Sequence, residues 1–187
     1  MTPTRMANIL RSRGIRALIF GAPRHLRSLL PFETSGFAAV AINLDSTRDH
    51  LHRATADDLG NTSKALKALR TFGYRRVGLA IDEETIALML LFPRMAFLEC
   101  EETLPRADRA GCWIGPIDDL TGFTRWLVDC KPDAIVTVNV YRQWWLQSLG
   151  FRIPQDIGVA QLDPDFVPSP VSGIDGRFDV IGRNAAD

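Results

Sequence analysis

Short runs of apolar and β-branched residues alternate along this chain with longer stretches that have helical spacing. The runs predict strands at residues 15–21, 38–44, 54–58, 75–81, 134–138 and 157–162, with a further extended piece near 110–115. Strands that alternate with helices are typical of parallel sheets covered by helices on both faces. The sequence therefore predicts an α/β fold with doubly wound, mostly parallel sheets.

Glycine and proline mark where the intervening helices end. Gly14, Gly73 and Gly150 each follow a stretch of helical spacing, at the point where a left-handed residue commonly closes a helix. Residues 85–102 are rich in helix formers, but Pro93 must end or kink that helix near Phe92 because it lacks an N–H donor. Each helix is thus expected to lead into the next strand.

The charge balance argues against direct binding of nucleic acid. The 187 residues include 22 basic and 22 acidic side chains, so the formal net charge is zero. Phosphate-backbone binding needs a local excess of Lys and Arg. The arginines between residues 5 and 27 stand singly among apolar residues, which indicates a solvated helix face. We expect no sequence-specific DNA binding by this chain alone.

Cysteine usage and hydropathy predict a cytoplasmic protein. Cys100, Cys112 and Cys130 are odd in number and lack CxxC spacing, so neither a disulfide framework nor a zinc site is indicated. The first residues have no secretory signal pattern, and no apolar run reaches membrane-spanning length. We therefore expect neither export nor membrane association.

The common enzyme motifs are missing from the sequence. GxGxxG after a strand, GxxxxGK[ST], GxSxG and HExxH are all absent, and no cofactor is expected. His50 and His52 could face one side of a strand and hold a metal, but without a third ligand a solvated pair is the better interpretation. A small enzyme acting on a phosphorylated or glycosidic substrate stays an alternative, without a recognisable nucleophile or acid–base pair.

Two aspartates lie at the ends of predicted strands. Asp58 and Asp163 stand at carboxyl ends of strands, the edge at which open α/β sheets bind ligands. Aspartate at such a point also serves as a helix N-cap or closes an Asx turn. The two roles can coexist, so both residues are candidates for ligand binding.

Four segments carry a family resemblance. Residues 150–163 (GFRIPQDIGVAQLD) join a Gly-closed helix, a turn with Pro and Asp, and an apolar strand that ends on an acid. The others are residues 54–80 (ATADDLGNTSKALKALRTFGYRRVGLA), 131–136 (KPDAIV) and 172–186 (SGIDGRFDVIGRNAA). In their order they resemble the effector-binding domains of the lactose-repressor/galactose-repressor (LacI/GalR) family of transcriptional regulators.

The resemblance implies a two-lobed, periplasmic-binding-protein-like fold that is incomplete, truncated at both ends. Residues 1–73 and 175–187 would form the N-terminal subdomain, and residues 74–174 the C-terminal subdomain. The family's helix-turn-helix is absent from the sequence, so operator DNA would be bound only through a missing N-terminal module. The intact protein would be a homodimer that senses a small, sugar-like effector in the cleft between its lobes.

The same resemblance supplies candidate effector-binding residues: Asp58, Arg94, Trp113, Asn139 and Asp163. Carboxylates and the amide would bind hydroxyls, the guanidinium a vicinal pair of oxygens or an anion, and the indole a sugar's apolar face. A helix-surface arginine is the alternative for Arg94. These roles imply recognition without catalysis.

The sequence departs from the family pattern around these residues. Val140 stands where an Asp usually follows Asn139, Phe97 replaces a Gly after Arg94, and Gly176 replaces a polar residue. The effector is therefore expected to differ from the typical hexose.

Trp144 and Trp145 are adjacent on a predicted helix, where side chains point about 100° apart. At most one of them can face a ligand, and we expect the other, or both, in the core or at a dimer surface.

The leading functional prediction is the effector-sensing domain of a transcriptional regulator that binds a sugar or sugar derivative. The alternative from another class is a solute-binding protein of a transport system.

Overall fold

The computed structural model describes residues 2–21, 34–42, 51–89, 91–163 and 172–187. These residues belong to two compact units, one formed by Met1–Ala56 with Arg177–Asp187 and the other by Asp57–Gly176. In chain order the elements are α1 (Pro3–Ser12), β1 (Ala17–Phe20), β2 (Ala38–Ile42), β3 (His52–Ala54), α2 (Asp58–Thr71), β4 (Val77–Asp82), α3 (Glu83–Leu88), α4 (Phe92–Glu102), a 3-10 turn (Arg106–Asp108), β5 (Cys112–Gly115), α5 (Leu120–Cys130), β6 (Ala134–Thr137), α6 (Tyr141–Ser148), β7 (Gly158–Gln161) and α7 (Phe178–Ala186).

The first unit contains a three-stranded parallel sheet in the order β1–β2–β3. Helix α7 packs against β2 and β3. Ile181 and Ala185, one helical turn apart, are buried with Ala54 at the end of β3. Their placement on one face of a short final helix agrees with the sequence pattern.

The second unit contains a four-stranded parallel sheet in the order β5–β4–β6–β7. Because side chains alternate along a strand, each strand contributes to two different cores. On what we call the α2 face, Leu79, Val136 and Ala160 pack against helices α2, α3 and α4. On the opposite α5 face, Ala80, Ile135 and Val159 pack against helices α5 and α6. The predicted α/β class with parallel sheets is confirmed.

Close packing on the α5 face explains one glycine. A Cβ atom on Gly78 would lie 2.5 Å from Cζ2 of Trp126, a distance that van der Waals repulsion excludes. The absence of a side chain at this position lets the indole of α5 lie directly on β4.

Local sequence signals set most helix boundaries of the second unit. The side chains of Asp57, Asp82 and Asp119 each accept a hydrogen bond from a backbone N–H in the first turn of α2, α3 and α5. The break predicted near Phe92 separates α3 from α4, with Pro93 in the first turn of α4, where its missing donor costs no helical hydrogen bond.

One sequence-based strand boundary was wrong, and the compact units divide the chain at other residues than the predicted subdomains. The strand predicted at residues 54–58 ends at Ala54, because Asp57 caps α2 and Asp58 is already helical. The first unit was expected to run to residue 73 and to resume at 175, whereas it ends at Ala56 and resumes at Arg177. Helix α2 falls in the second unit because Ala65, Leu66 and Leu69 are buried in that unit's core.

His50 lies outside the described residues, so the proposed histidine pair is described only at His52, an exposed residue of β3. No helix among the described residues combines the length and apolar character needed to cross a membrane.

Phe123 is the central aromatic residue of the α5-face core and is fully buried. Phe123→Ala should lower the free energy of unfolding by about 3–5 kcal/mol, because it removes buried apolar surface and leaves a cavity. All four tryptophans lie between residues 113 and 145, so urea unfolding followed by tryptophan fluorescence reports on the second unit.

Val128→Ala, in the same helix at a position that is 64% exposed, is the matched control. Its effect should stay within about 0.5 kcal/mol. Equal losses for both variants would contradict the placement of Phe123 in this core.

Candidate ligand-binding site

The strands of the second sheet end in polar residues on the α5 face. Three of these strands each contribute an apolar residue to this face and, two residues later, a polar one. The polar residues are Asp82 in β4, Thr137 in β6 and Gln161 in β7, and all three are buried. The register pairs Thr137 directly with Gln161. The carboxyl end of the sheet therefore carries a buried polar layer directly above an apolar core.

Asp82 ties two neighbouring strand ends together. Its Oδ1 accepts a hydrogen bond from the backbone N–H of Thr85 at 2.8 Å, and its Oδ2 accepts one from the Thr85 hydroxyl at 2.9 Å. The same Oδ2 accepts a third from Nδ2 of Asn139 at 2.8 Å. Both oxygens are thus used, and Asn139 is held with its own Oδ1 buried and without a hydrogen-bond partner.

Gln161 is the second buried amide at this end of the sheet. Its backbone N–H donates to the carbonyl of Ser172 at 2.8 Å, and its carbonyl accepts from the N–H of Ile174 at 2.8 Å. Those bonds fix the backbone, yet the side-chain Oε1 and Nε2 are both buried and without partners. A buried amide with neither atom paired costs folding free energy.

Arg142, the second residue of α6, is the largest fully buried side chain among the described residues. Its guanidinium carbon lies 4.3 Å from the ring centroid of Trp113 and 4.1 Å from that of Trp145. Nη1 donates to the carbonyl of Ile117 at 3.3 Å, whereas Nε and Nη2 have no hydrogen-bond partner. The guanidinium is therefore buried against two indoles whose planes are 78° apart, and two of its nitrogens have no hydrogen-bond partner.

Burial dominates the protonation of this arginine. Desolvation lowers the pKa of Arg142 from 12.5 to about 10, although the negative charges of Asp82 and Asp119 oppose the shift. The side chain is still a cation at neutral pH. The two nearby carboxylates thus compensate only part of the cost of burying its charge.

We call Asp82, Asn139, Arg142 and Gln161 the polar edge. Its unused atoms include donors on Arg142 and Gln161 and acceptors on Asn139 and Gln161. A hydroxyl group both donates and accepts, so a polyhydroxylated molecule matches this mixture. The described residues contain no group of three or more His, Cys, Asp or Glu side chains able to hold a metal ion.

Two of the five candidates from the sequence follow strands β6 and β7 at this end of the sheet. Asn139 belongs to the polar edge through its bond to Asp82. Asp163 follows Gln161 by two residues, as Asn139 follows Thr137, and it is half-buried. The structure thus places Asn139 and Asp163 at equivalent positions after adjacent strands.

Trp113 does not offer an open stacking surface. It is only 7% exposed, and its ring meets those of Phe123 and Trp145 edge to face. Its contact with the candidate site runs through Arg142, whose guanidinium it covers.

Arg94 is exposed in the first turn of α4, a helix of the α2 face. It lies beside Cys112 at the first residue of β5, where its charge opposes the burial that raises the pKa of that thiol. The amino end of β5 is the opposite end of the sheet from Asn139. The structure therefore does not bring Arg94 into the polar edge.

Asp58 is the first residue of α2 and is half-buried. Helix α2 ends near Tyr74, and the ring of Tyr74 lies against Gly158 at the amino end of β7. The last turn of α2 is therefore near the amino ends of the strands, and its first turn lies toward their carboxyl ends. Burial, reinforced by the charge of Asp57, raises the pKa of Asp58 to about 6.

Three members of the polar edge were missed from the sequence. Asp82 follows a predicted strand just as Asp58 and Asp163 do, so the same rule could have selected it. Gln161 is the one polar residue in the predicted apolar run 157–162, which was a usable signal. Nothing in the sequence distinguishes Arg142 from a surface arginine of an amphipathic helix.

Trp144 and Trp145 point in different directions, as adjacent helical residues must. Trp145 packs with Phe123 and Trp113 next to the core, whereas Trp144 is 53% exposed and contacts Tyr141 edge to face. Trp145, half-buried against the α5-face core, agrees with the expectation that at least one of the two lies in the core or at a dimer surface.

The raised pKa of Asp58 predicts a pH-dependent stability. Because the folded-state pKa is near 6 and the ordinary value is 3.8, stability is lost as pH rises through this window. Asp58→Asn removes the ionisation. Its free energy of unfolding relative to the natural chain should therefore rise by about 1 kcal/mol from pH 4 to pH 7, after allowance for solvent screening.

Urea unfolding at a series of pH values measures this difference. A difference that is constant across the window, or that falls with pH, would show that Asp58 is not desolvated in the folded chain.

Comparison with known proteins gives matches in structure and not in sequence. No protein-family model matches the chain, and no curated protein sequence matches it. Among solved structures, the transcriptional regulator CelR in complex with cellobiose matches with a TM-score of 0.67 at 18% identity, covering 98% of this chain and 61% of that one. The chain thus spans less than two thirds of that regulator.

Two further solved structures have a similar fold. A LacI-family regulator from Rhizobium etli matches with a TM-score of 0.68 at 21% identity, over 97% of this chain and 72% of that one. A LacI-family regulator from Lactobacillus casei with bound glucose matches with a TM-score of 0.64 at 18% identity, over 97% and 74% of the two chains. The chain therefore has the periplasmic-binding-protein-like α/β fold of these LacI-family transcriptional regulators.

Proposed function

We propose that this chain is the effector-sensing part of a LacI/GalR-type transcriptional regulator and that it binds a polyhydroxylated small molecule at the polar edge. The observation that carries the proposal is the set of buried, unpaired hydrogen-bonding atoms on Asn139, Arg142 and Gln161. Each such atom costs about 1–3 kcal/mol of folding free energy unless something pairs with it. A ligand with several hydroxyl groups is the natural partner.

The position of these atoms supports the same function. They follow the carboxyl ends of parallel strands, where open α/β sheets bind ligands. The fold comparison adds that two similar proteins were solved with sugars, one with cellobiose and one with glucose. Both ligands are rich in hydroxyl groups.

The described chemistry favours binding over catalysis. The carboxylate of Asp82 is engaged in three hydrogen bonds, and no base is paired with a nucleophile at the polar edge in the described part of the chain. In the whole regulator, we propose, ligand binding would change how two protomers in a cytoplasmic homodimer hold operator DNA through an N-terminal module. Such coupling requires that the ligand bind two conformations with different affinity.

Gln161→Met tests the proposal because methionine has a similar volume but cannot pair with hydroxyls. Without ligand, the variant should be as stable as the natural chain or more stable, since an unpaired buried amide has been removed. Its affinity for the sugar that binds should fall at least about tenfold. Thermal shift against pentoses, hexoses, sugar acids, sugar phosphates and purines identifies the ligand, and calorimetry measures the affinity.

Gln155→Met, at an exposed position in the turn before β7, is the matched control and should change neither quantity. If Gln161→Met destabilises the unliganded chain and leaves sugar affinity unchanged, the amide serves the fold and the assignment of the site fails. If no compound raises the melting temperature, the proposed function fails.

A further inference from the structure

We propose that Arg142 binds a carboxylate group of the effector, so that the effector is a sugar acid and not a neutral sugar. The inference rests on the proposed function and deepens it by naming the ligand class. The family resemblance does not imply a role for Arg142, because Arg94 is the only arginine among the effector-binding residues that it suggests.

Two nitrogens of the guanidinium are without a hydrogen-bond partner. The guanidinium carbon lies 4.3 Å and 4.1 Å from the ring centroids of Trp113 and Trp145, and Nη1 donates to the carbonyl of Ile117. The remaining nitrogens, Nε and Nη2, direct two parallel N–H bonds outward from one edge of the group, within its plane. That pair is the side-on fork that takes both oxygens of a carboxylate.

The charge around Arg142 is incompletely balanced. Within the described residues no carboxylate forms an ion pair with it, and its nearest acidic groups act only at longer range. Asp82 is engaged by Thr85 and Asn139, and Asp119 caps α5. A buried cation with spare donors and no bonded anion is a binding site for an anionic group.

The other atoms of the polar edge suit the rest of such a ligand. Oδ1 of Asn139 accepts from hydroxyls, and the Gln161 amide both accepts and donates. A sugar acid presents a planar carboxylate at one end and hydroxyls along its chain or ring. Since Nε and Nη2 are shielded from solvent, entry must displace the side chains around them and should alter the emission of the two indoles that cover Arg142.

A purely structural role predicts a different behaviour. If Arg142 serves only to fill the space beside the two indoles, removing its charge should affect stability and leave ligand choice unchanged. Preference between a sugar acid and its neutral counterpart therefore separates the two roles.

The experiment compares D-gluconate and D-glucuronate with D-glucose, and D-galacturonate with D-galactose. Glucose 6-phosphate is included to distinguish a phosphate from a carboxylate. Binding to the full chain is measured by calorimetry and by tryptophan fluorescence. We expect at least one sugar acid to bind at least about tenfold more tightly than its neutral counterpart, because charge-assisted hydrogen bonds are stronger than neutral ones.

Two variants remove the fork in different ways. Arg142→Lys keeps a positive charge but cannot grip two oxygens in one plane, and Arg142→Met removes the charge while nearly conserving the volume. Both should lose the preference for the acid, by about tenfold or more, because the affinity for the acid falls further than the affinity for its neutral counterpart. Arg125→Lys, an exposed arginine of α5, is the matched control and should keep the preference.

The outcomes separate this inference from the proposed function. Binding of neutral sugars alone overturns the inference and leaves the function standing. An acid preference that survives Arg142→Lys shows that another group binds the carboxylate and also overturns it. Tighter binding of the sugar phosphate than of any carboxylate reassigns the fork to phosphate. Failure of every compound to bind overturns both proposals.

Discussion

The two-residue repeat of the β-strand is the constraint on which the rest of the second unit depends. It places Ala80, Ile135 and Val159 under helices α5 and α6. Two residues later on the same face, each of these three strands presents a polar side chain. The chain cannot satisfy these polar side chains with ladder hydrogen bonds, which involve only the backbone. Their partners must be other side chains, helix ends or a ligand.

Three of the aspartates in the second unit find their partners at the amino ends of helices. Asp57, Asp82 and Asp119 all stand just before helices, and each accepts a hydrogen bond from an N–H that would otherwise lack a partner. An aspartate after a strand was therefore a good sign of the sheet edge and a poor sign of a free ligand-binding carboxylate. The side-chain amides of Asn139 and Gln161 cap no helix among the described residues, and they retain unpaired atoms.

Much of the fold could be predicted because its signals are local. Gly14, Gly73 and Gly150 adopt positive φ values at helix ends, and Pro93 separates α3 from α4. The assignment of α2 to a unit could not be predicted in this way, because it depends on which sheet buries Leu66 and Leu69. Arg142 was missed for a similar reason, since only tertiary packing buries it against Trp113 and Trp145.

Stability alone does not account for the side chains at the polar edge. Replacing a buried charge by an apolar residue of similar size is often neutral or stabilising, and the same holds for an unpaired buried amide. Arg142 and Gln161 nevertheless lie fully buried beside an otherwise apolar core, both at the carboxyl end of one sheet. Departures from the rules of core packing tend to gather where function requires them. Their concentration at the edge where open α/β sheets bind ligands therefore supports the proposal that a ligand binds there.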